Sequence, residues 1–215
     1  MTENTYEEII NIPAGSVELE GSLVIPEGAK AIVLFAHGSG SSRHSPRNNF
    51  VAQVLQKAGL ATLLFDLLTE GEDSVYETRF NIKLLSERLK IATKWLENQE
   101  TASGLKIGYF GSSTGAAAAL ESASTLGAKI KAVVSRGGRP DLAMDYLNEV
   151  TAPTLLIVGG NDGEVIKLNE AALDRLSAEK KLEIVPGATH LFEESGTLEK
   201  AADLAAAWFS EHLNS

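Results

Sequence analysis

The chain has 215 residues, 44% of them hydrophobic and 22% charged, with a formal net charge of -10 and no cysteine. That length suits one domain, expected over 1–215, with a substantial core. The negative balance argues against non-specific binding to nucleic acid or to an anionic membrane surface, and the lack of cysteine excludes disulfides, cysteine-based zinc sites and thiol catalysis.

The opening MTENTYEEII lacks the basic and apolar regions of a signal peptide, and no apolar run approaches the length that spans a bilayer. A cytoplasmic location is therefore expected. GSVELEGSLVIP predicts a hairpin, with alternating runs at Val17–Glu20 and Ser22–Ile25 joined around Gly21. Beyond it the pattern changes. AIVLFAHG, LATLLFD, LKIGYFG, IKAVVSRGG, PTLLIVGG and KLEIVPG are short apolar runs, most of them ending in glycine or a polar loop. Runs apolar throughout suit strands covered on both faces.

Helical patterns lie between them. PRNNFVAQVLQKAG has Pro46 at a first helical position and Gly59 as a stop. RFNIKLLSERLKIATKWLE places Phe80, Leu84, Ile91 and Trp95 at helical spacing. VIKLNEAALDRLSA and TLEKAADLAAAWFSEHL behave likewise, the last with Leu198, Ala201, Ala205 and Trp208 on one stripe. The acidic TEGEDSVYE after Asp66 reads as a solvated loop. Strands alternating with helices predict an α/β fold, a mostly parallel sheet with helices on both faces. In such folds ligands sit at the C-terminal ends of the strands.

At one such end Gly111-Ser112-Ser113-Thr114-Gly115 matches G-x-S-x-G. The string alone is weak, but it falls where a strand runs into an alanine-rich helix, as a nucleophile elbow requires. Glycine on both sides lets strand and helix approach and leaves the Ser113 hydroxyl at the apex. The bland alternative is a polar turn residue in a tight connection. A serine needs a base to take its proton, and the base needs an orienting carboxylate. Of the four histidines, His37 and His44 follow the third strand and His212 reads as a solvated side chain of the last helix. His190 follows the final strand, in VPGATHLF, and Asp162 heads the loop after PTLLIVGG. Taken alone, each could be a surface residue. Together, Ser113, Asp162 and His190 follow the chain order of α/β-hydrolase triads, each after a different strand.

The negative charge that develops on a substrate oxygen needs preorganised donors. The expected ones are the backbone N–H groups of Thr114 and of Ser39, in the loop AHGSGSSRHSPRN. GSGSS could instead cradle a phosphate, but it lacks the Lys-Ser/Thr ending of a P-loop and the third glycine of a dinucleotide fingerprint.

The stretches FAHGSGSSRHSPRN, GYFGSSTGAAAAL, RGGRPDLA, LLIVGGND and VPGATHLFEE resemble the α/β-hydrolase superfamily, and more narrowly its dienelactone-hydrolase-like branch, from about Gly15 to Phe209. The resemblance implies an eight-stranded, mainly parallel sheet with an antiparallel second strand, no cofactor or metal, and hydrolysis of small-molecule esters or lactones. It makes Ser113 the nucleophile, His190 the general base and acid, and Asp162 its orienter. Dienelactone hydrolases proper use a cysteine nucleophile, so the chain looks more like serine-dependent relatives. A non-catalytic binding protein retaining the pocket, or another acyl transfer on the same triad, are the competing expectations.

RGGRPDLAMDYLNEVTAP, between the sixth and seventh strands, has room for one short helix, so an open site without a lid is expected. Four of the seven arginines leave strand ends: Arg43, Arg47, Arg136 and Arg139. Arg43 and Arg136 are candidates for binding an anionic group of the substrate, against the alternative that they serve neighbouring carboxylates or carbonyls.

Overall fold

The structure, a computed structural model, describes residues 5–213; the first four residues of the acidic opening stretch lie outside them. Eight strands form one sheet: β1 (Tyr6–Ala14), β2 (Val17–Ile25), β3 (Ala31–Ala36), β4 (Ala61–Phe65), β5 (Lys106–Ser112), β6 (Ile130–Arg136), β7 (Thr154–Gly159) and β8 (Lys180–Val185). Their order is β1-β2-β4-β3-β5-β6-β7-β8. β2 runs antiparallel to both β1 and β4, and the pairings from β4 through β8 are parallel. This is the expected α/β architecture, with the expected reversed second strand.

Alternation along the strands builds two cores. In β3, Ile32, Leu34 and Ala36 face one side, while Ala31, Val33 and Phe35 face the other. The first side is covered by α3 (Ile82–Glu97), α4 (Thr114–Leu126) and α5 (Gly163–Arg175), through residues such as Leu89, Ala119 and Ala172. The second is covered by α1 (Pro46–Lys57) and α6 (Thr197–Leu213), through Leu55, Ala205 and Phe209. Layers of this kind exclude water from the apolar runs on both faces. No helix among the described residues is long and apolar enough to cross a membrane.

Several sequence expectations are corrected. The hairpin is longer and turns elsewhere: β1 pairs with β2 from Tyr6↔Ile25 to Ala14↔Val17, which puts the turn at Gly15–Ser16, with Gly15 at φ 72°. Gly21 lies inside β2, where an added Cβ would come within 3.0 Å of the Phe65 Cβ. α3 buries Leu85, Leu89, Ala92 and Leu96. Leu84, Ile91 and Trp95 only flank that face, and Phe80 precedes the helix and is exposed. His212 is not solvated but packs edge-on against Trp208, with ring centroids 4.3 Å apart. The acidic loop is ordered by a capping box: Thr69 and Glu72 satisfy each other's backbone at α2 (Glu70–Asp73), as such boxes do. Glu72 also binds Arg88, and Asp73 binds Arg79.

Candidate active site

Ser113 stands between the end of β5 and the start of α4 at φ 52° and ψ -123°. A non-glycine residue held there is strained, and such strain persists only where its surroundings over-determine it. Two glycines do so here. A Cβ on Gly111 would lie 2.4 Å from the Ala116 Cα, and one on Gly115 would lie 2.0 Å from the Ala36 carbonyl oxygen. The strand and the helix therefore meet backbone to backbone, and the half-buried Ser113 is left at the apex.

Asp162 and His190 come from neighbouring loops. After β7, Gly160 N–H donates to the Val185 carbonyl at 2.8 Å and Asn161 N–H to that of Ala188 at 2.9 Å. A Cβ on Gly159 would lie 2.5 Å from the Ala188 oxygen, so only glycine allows the two loops to interlock. The interlock sets His190 Nδ1 2.7 Å from Asp162 Oδ2. The Asp162 carboxylate is largely buried while the ring is 40% exposed, leaving the imidazole open to the cleft. Glu194 braces the loop from outside, accepting from Thr189 N–H at 3.0 Å and Thr189 Oγ1 at 2.6 Å. Those bonds hold the Glu194 carboxyl below its ordinary range.

Ser113 and His190 line one cleft of about 260 Å³, together with Gly38, Ser39, Ser41, Ser45, Arg47, Ser112, Arg136, Gly137 and Leu191. Among the described residues no hydrogen bond joins the Ser113 hydroxyl to the His190 ring. Gly38 sits so close that a Cβ there would come within 3.0 Å of the Ser113 Cβ. Ser39, next along, lines the same cleft. Neither its amide nor that of Thr114 donates to a protein acceptor among the described residues.

The loop bearing Ser39 is fixed from below by His37. This buried ring accepts Leu67 N–H at Nε2 (3.0 Å) and bonds the Gly38 carbonyl through Nδ1 (3.0 Å). That pattern requires the neutral ring with its proton on Nδ1. Burial lowers its pKa below the ordinary histidine value, outweighing the Gly38 bond and the charges of Asp66 and Asp73.

The two arginine candidates part ways. Arg43 is held by Asp66, to which its backbone N–H donates at 2.7 Å, and by Glu20. It lines a larger neighbouring cleft of about 480 Å³ with Glu18, His44 and Asp73, which shares Ser41 with the Ser113 cleft. The expectation for Arg43 is thus corrected: its charge serves neighbouring carboxylates, not the Ser113 cleft. Arg136 does line the cleft. Its backbone carbonyl accepts Ser113 N–H at 3.4 Å, so it is tied to the elbow itself. No sequence motif points to Asn48, a buried residue of α1 that contacts both Ser112 and Arg136. Between β6 and β7 the chain makes only the 3-10 turns Pro140–Glu149, kinked at Ala143, and no lid is inserted there.

A sheet with this strand order, an elbow serine and an Asp–His pair at its C-terminal edge define the α/β-hydrolase class. The dienelactone hydrolase family model matches residues 19–213, and the chain belongs to that family. A dienelactone hydrolase from Anabaena variabilis ATCC 29413 shares 55% sequence identity, with 97% of this chain and 99% of that one covered and a TM-score of 0.95. A Mycobacterium tuberculosis (strain H37Rv) protein provisionally named a phosphoribosyl transferase is 55% identical over 207 residues, covering 96% of this chain and 47% of that protein. The chain therefore spans about half the length of this curated relative. Est1E from Butyrivibrio proteoclasticus, at 15% identity and a TM-score of 0.83 over 96% of this chain and 99% of its own, shares the fold.

Proposed function

We propose that the protein is a serine hydrolase that cleaves small carboxylic esters or lactones through an acyl-enzyme on Ser113. The observation that carries this reading is the 2.7 Å contact between His190 Nδ1 and Asp162 Oδ2 at the rim of the cleft that Ser113 enters. With the Nδ1 proton donated to Asp162, Nε2 keeps its lone pair and acts as the base. It takes the Ser113 proton as Oγ adds to the ester carbonyl. The oxygen that becomes negative is received by the N–H groups of Ser39 and Thr114, the latter at the positive end of α4. His190 returns the proton to the leaving alkoxide, and the C–O bond breaks. Water then adds to the acyl-enzyme by the same route and releases the acid and Ser113. The Oγ to Nε2 contact closes when substrate binds, since apo sites often hold it long.

The open cleft suits small or exposed esters. The transferase name belongs to a protein of which this chain matches 47%. Fold and triad do not choose between water and another alcohol as acyl acceptor. The test is a fluorophosphonate probe with a p-nitrophenyl acetate burst. Stoichiometric labelling and a burst are expected, both lost in Ser113→Ala. No label and no burst in the wild type would favour a non-catalytic binder, and full labelling of Ser113→Ala would overturn the assignment.

A further inference from the structure

Helices cover both faces of the sheet, but its two edge strands, β1 and β8, each carry a row of backbone groups that nothing in the sheet pairs. β1 is defended. Glu7 and Glu8 set two negative charges side by side on it, and Pro13 has no N–H to give an incoming strand. β8 lacks this defence. Lysines commonly guard an edge, but Lys180 is turned back on its own chain, its Nζ donating to the Leu173 and Leu176 carbonyls at 2.7 Å. Lys181 Nζ lies 2.7 Å from Glu183 Oε1, so the strand carries charges of both signs. Ile184 beside them is 38% exposed.

The bonds to β7 fix which backbone groups of β8 face outward. Thr154 N–H donates to the Glu179 carbonyl and Gly160 N–H to that of Val185, both at 2.8 Å. The register is parallel and sets Thr154 beside Lys180 and Gly159 beside Val185. Alternate residues of a strand bond a given neighbour, so Lys181, Glu183 and Val185 are turned to β7. Lys180, Leu182 and Ile184 therefore point their N–H and C=O groups at the open edge. Among the described residues no turn or loop bonds the backbone of these three. A second β8, laid antiparallel with Leu182 opposite its own copy, satisfies all of them. Leu182 faces Leu182, and Lys180 faces Ile184 of the other copy, each pair exchanging both of its N–H···O bonds. In the closer, non-hydrogen-bonded pairs between them, Lys181 meets Glu183 of the other copy and Glu183 meets Lys181. Moving the two-fold by one residue sets Lys181 against Lys181 or Glu183 against Glu183, and like charges directly opposite destabilise a pairing. Charge thus selects one register. Leu182 packs at the margin of the α5-side core, and Ile184 shares its face by alternation. In the selected register Ile184 lies diagonal to Leu182 of the other copy, within reach of it.

We propose that β8 is an interaction surface for a second copy of this chain, which adds to it antiparallel about a two-fold axis and continues the sheet. The contact is isologous, so it closes at two copies. Because the two copies run in opposite directions, their Ser113 clefts fall on opposite edges of the joined sheet and both stay open. The pairing stands apart from the hydrolase reading and holds whatever the clefts do.

The experiment is sedimentation velocity of the full chain over a range of about 1–200 µM, since self-association follows protein concentration. The wild type is expected to sediment as a dimer at the top of the range and to dissociate on dilution. Lys181→Glu and Glu183→Lys each set like charges opposite one another, and each is expected to weaken the dimer about tenfold or more. Mixed in equal amounts, the two variants offer each other opposite charges at both places, and a dimer is expected to return. That recovery cannot come from misfolded chains. Ile184→Lys, at an exposed position, sets a second ammonium against Lys180 of the other copy and serves if the charge variants do not fold; it too is expected to be monomeric. A wild type that stays monomeric throughout overturns the proposal. So does a dimer that the variants leave undiminished, a mass that keeps rising beyond two copies, or a mixture of the two folded charge variants that stays monomeric.

Discussion

His190 and Asp162 meet at 2.7 Å although they lie 28 residues apart and on loops that follow different strands. Replacing Asp162 by Asn keeps the shape but offers an amide where the Nδ1 proton must be accepted, which favours the wrong tautomer. We expect kcat for p-nitrophenyl acetate to fall on the order of 10³–10⁴-fold, with thermal stability little changed. Steady-state kinetics beside a melting curve check this; a loss under tenfold would count against His190 as the base.

The tight junction at the elbow predicts a strong penalty for the smallest added side chain. Gly115→Ala puts a Cβ 2.0 Å from the Ala36 oxygen, so strand and helix must separate. A loss of about 3 kcal/mol or more is expected, measured by urea unfolding. Gly163→Ala, where the added Cβ meets nothing within 4 Å, is the control and should stay within about 0.5 kcal/mol.

Ser113 itself is held at φ 52°, where glycine sits without strain. Ser113→Gly should therefore remove activity while raising stability by about 1 kcal/mol, the relief of strain less the added freedom of the unfolded chain. Ser113→Ala removes the hydroxyl without that relief. A melting temperature for Ser113→Gly below that of Ser113→Ala would argue that the serine backbone is unstrained.

His37 gives the fold a defined acid sensitivity. Its folded pKa lies below the unfolded value of 6.5, so the unfolded chain takes up the proton first. The stability this neutral ring contributes is complete above pH 6.5 and is lost as the pH falls through 6.5 toward the folded pKa. Protonation would also end the Leu67 N–H to Nε2 bond and loosen the loop bearing Ser39. In His37→Gln the loss of stability between pH 7 and pH 5 should be shallower than in the wild type, as read by urea midpoints. Parallel curves for the two proteins would remove His37 from this account.

The sheet was legible because buried parallel strands need unbroken apolar runs, and all six such runs became strands. The elbow was legible because its glycines are dictated by backbone contact, and the loop positions of Asp162 and His190 followed from strand ends. β1 escaped because its buried residues, Ile10, Ile12 and Ala14, alternate behind an acidic opening, and Gly21 looked like a turn. The demand for glycine there comes from Phe65 on a different strand, which local pattern does not reveal. The arginines illustrate the same limit. Their placement at strand ends could be read, but whether Arg43 or Arg136 is paired depends on Glu20 and Asp66, distant in the chain.

The seam between the β7 and β8 loops is stitched by main-chain groups of Gly160, Asn161, Val185 and Ala188, with Gly159 as the gap that admits it. Spacing between imidazole and carboxylate is thus set by main-chain contacts anchored at the strand ends, which the side chains of Glu194 and Asn161 reinforce. An outward residue such as Leu191, which lines the cleft, can consequently reshape the entrance without moving the Asp162–His190 pair behind it.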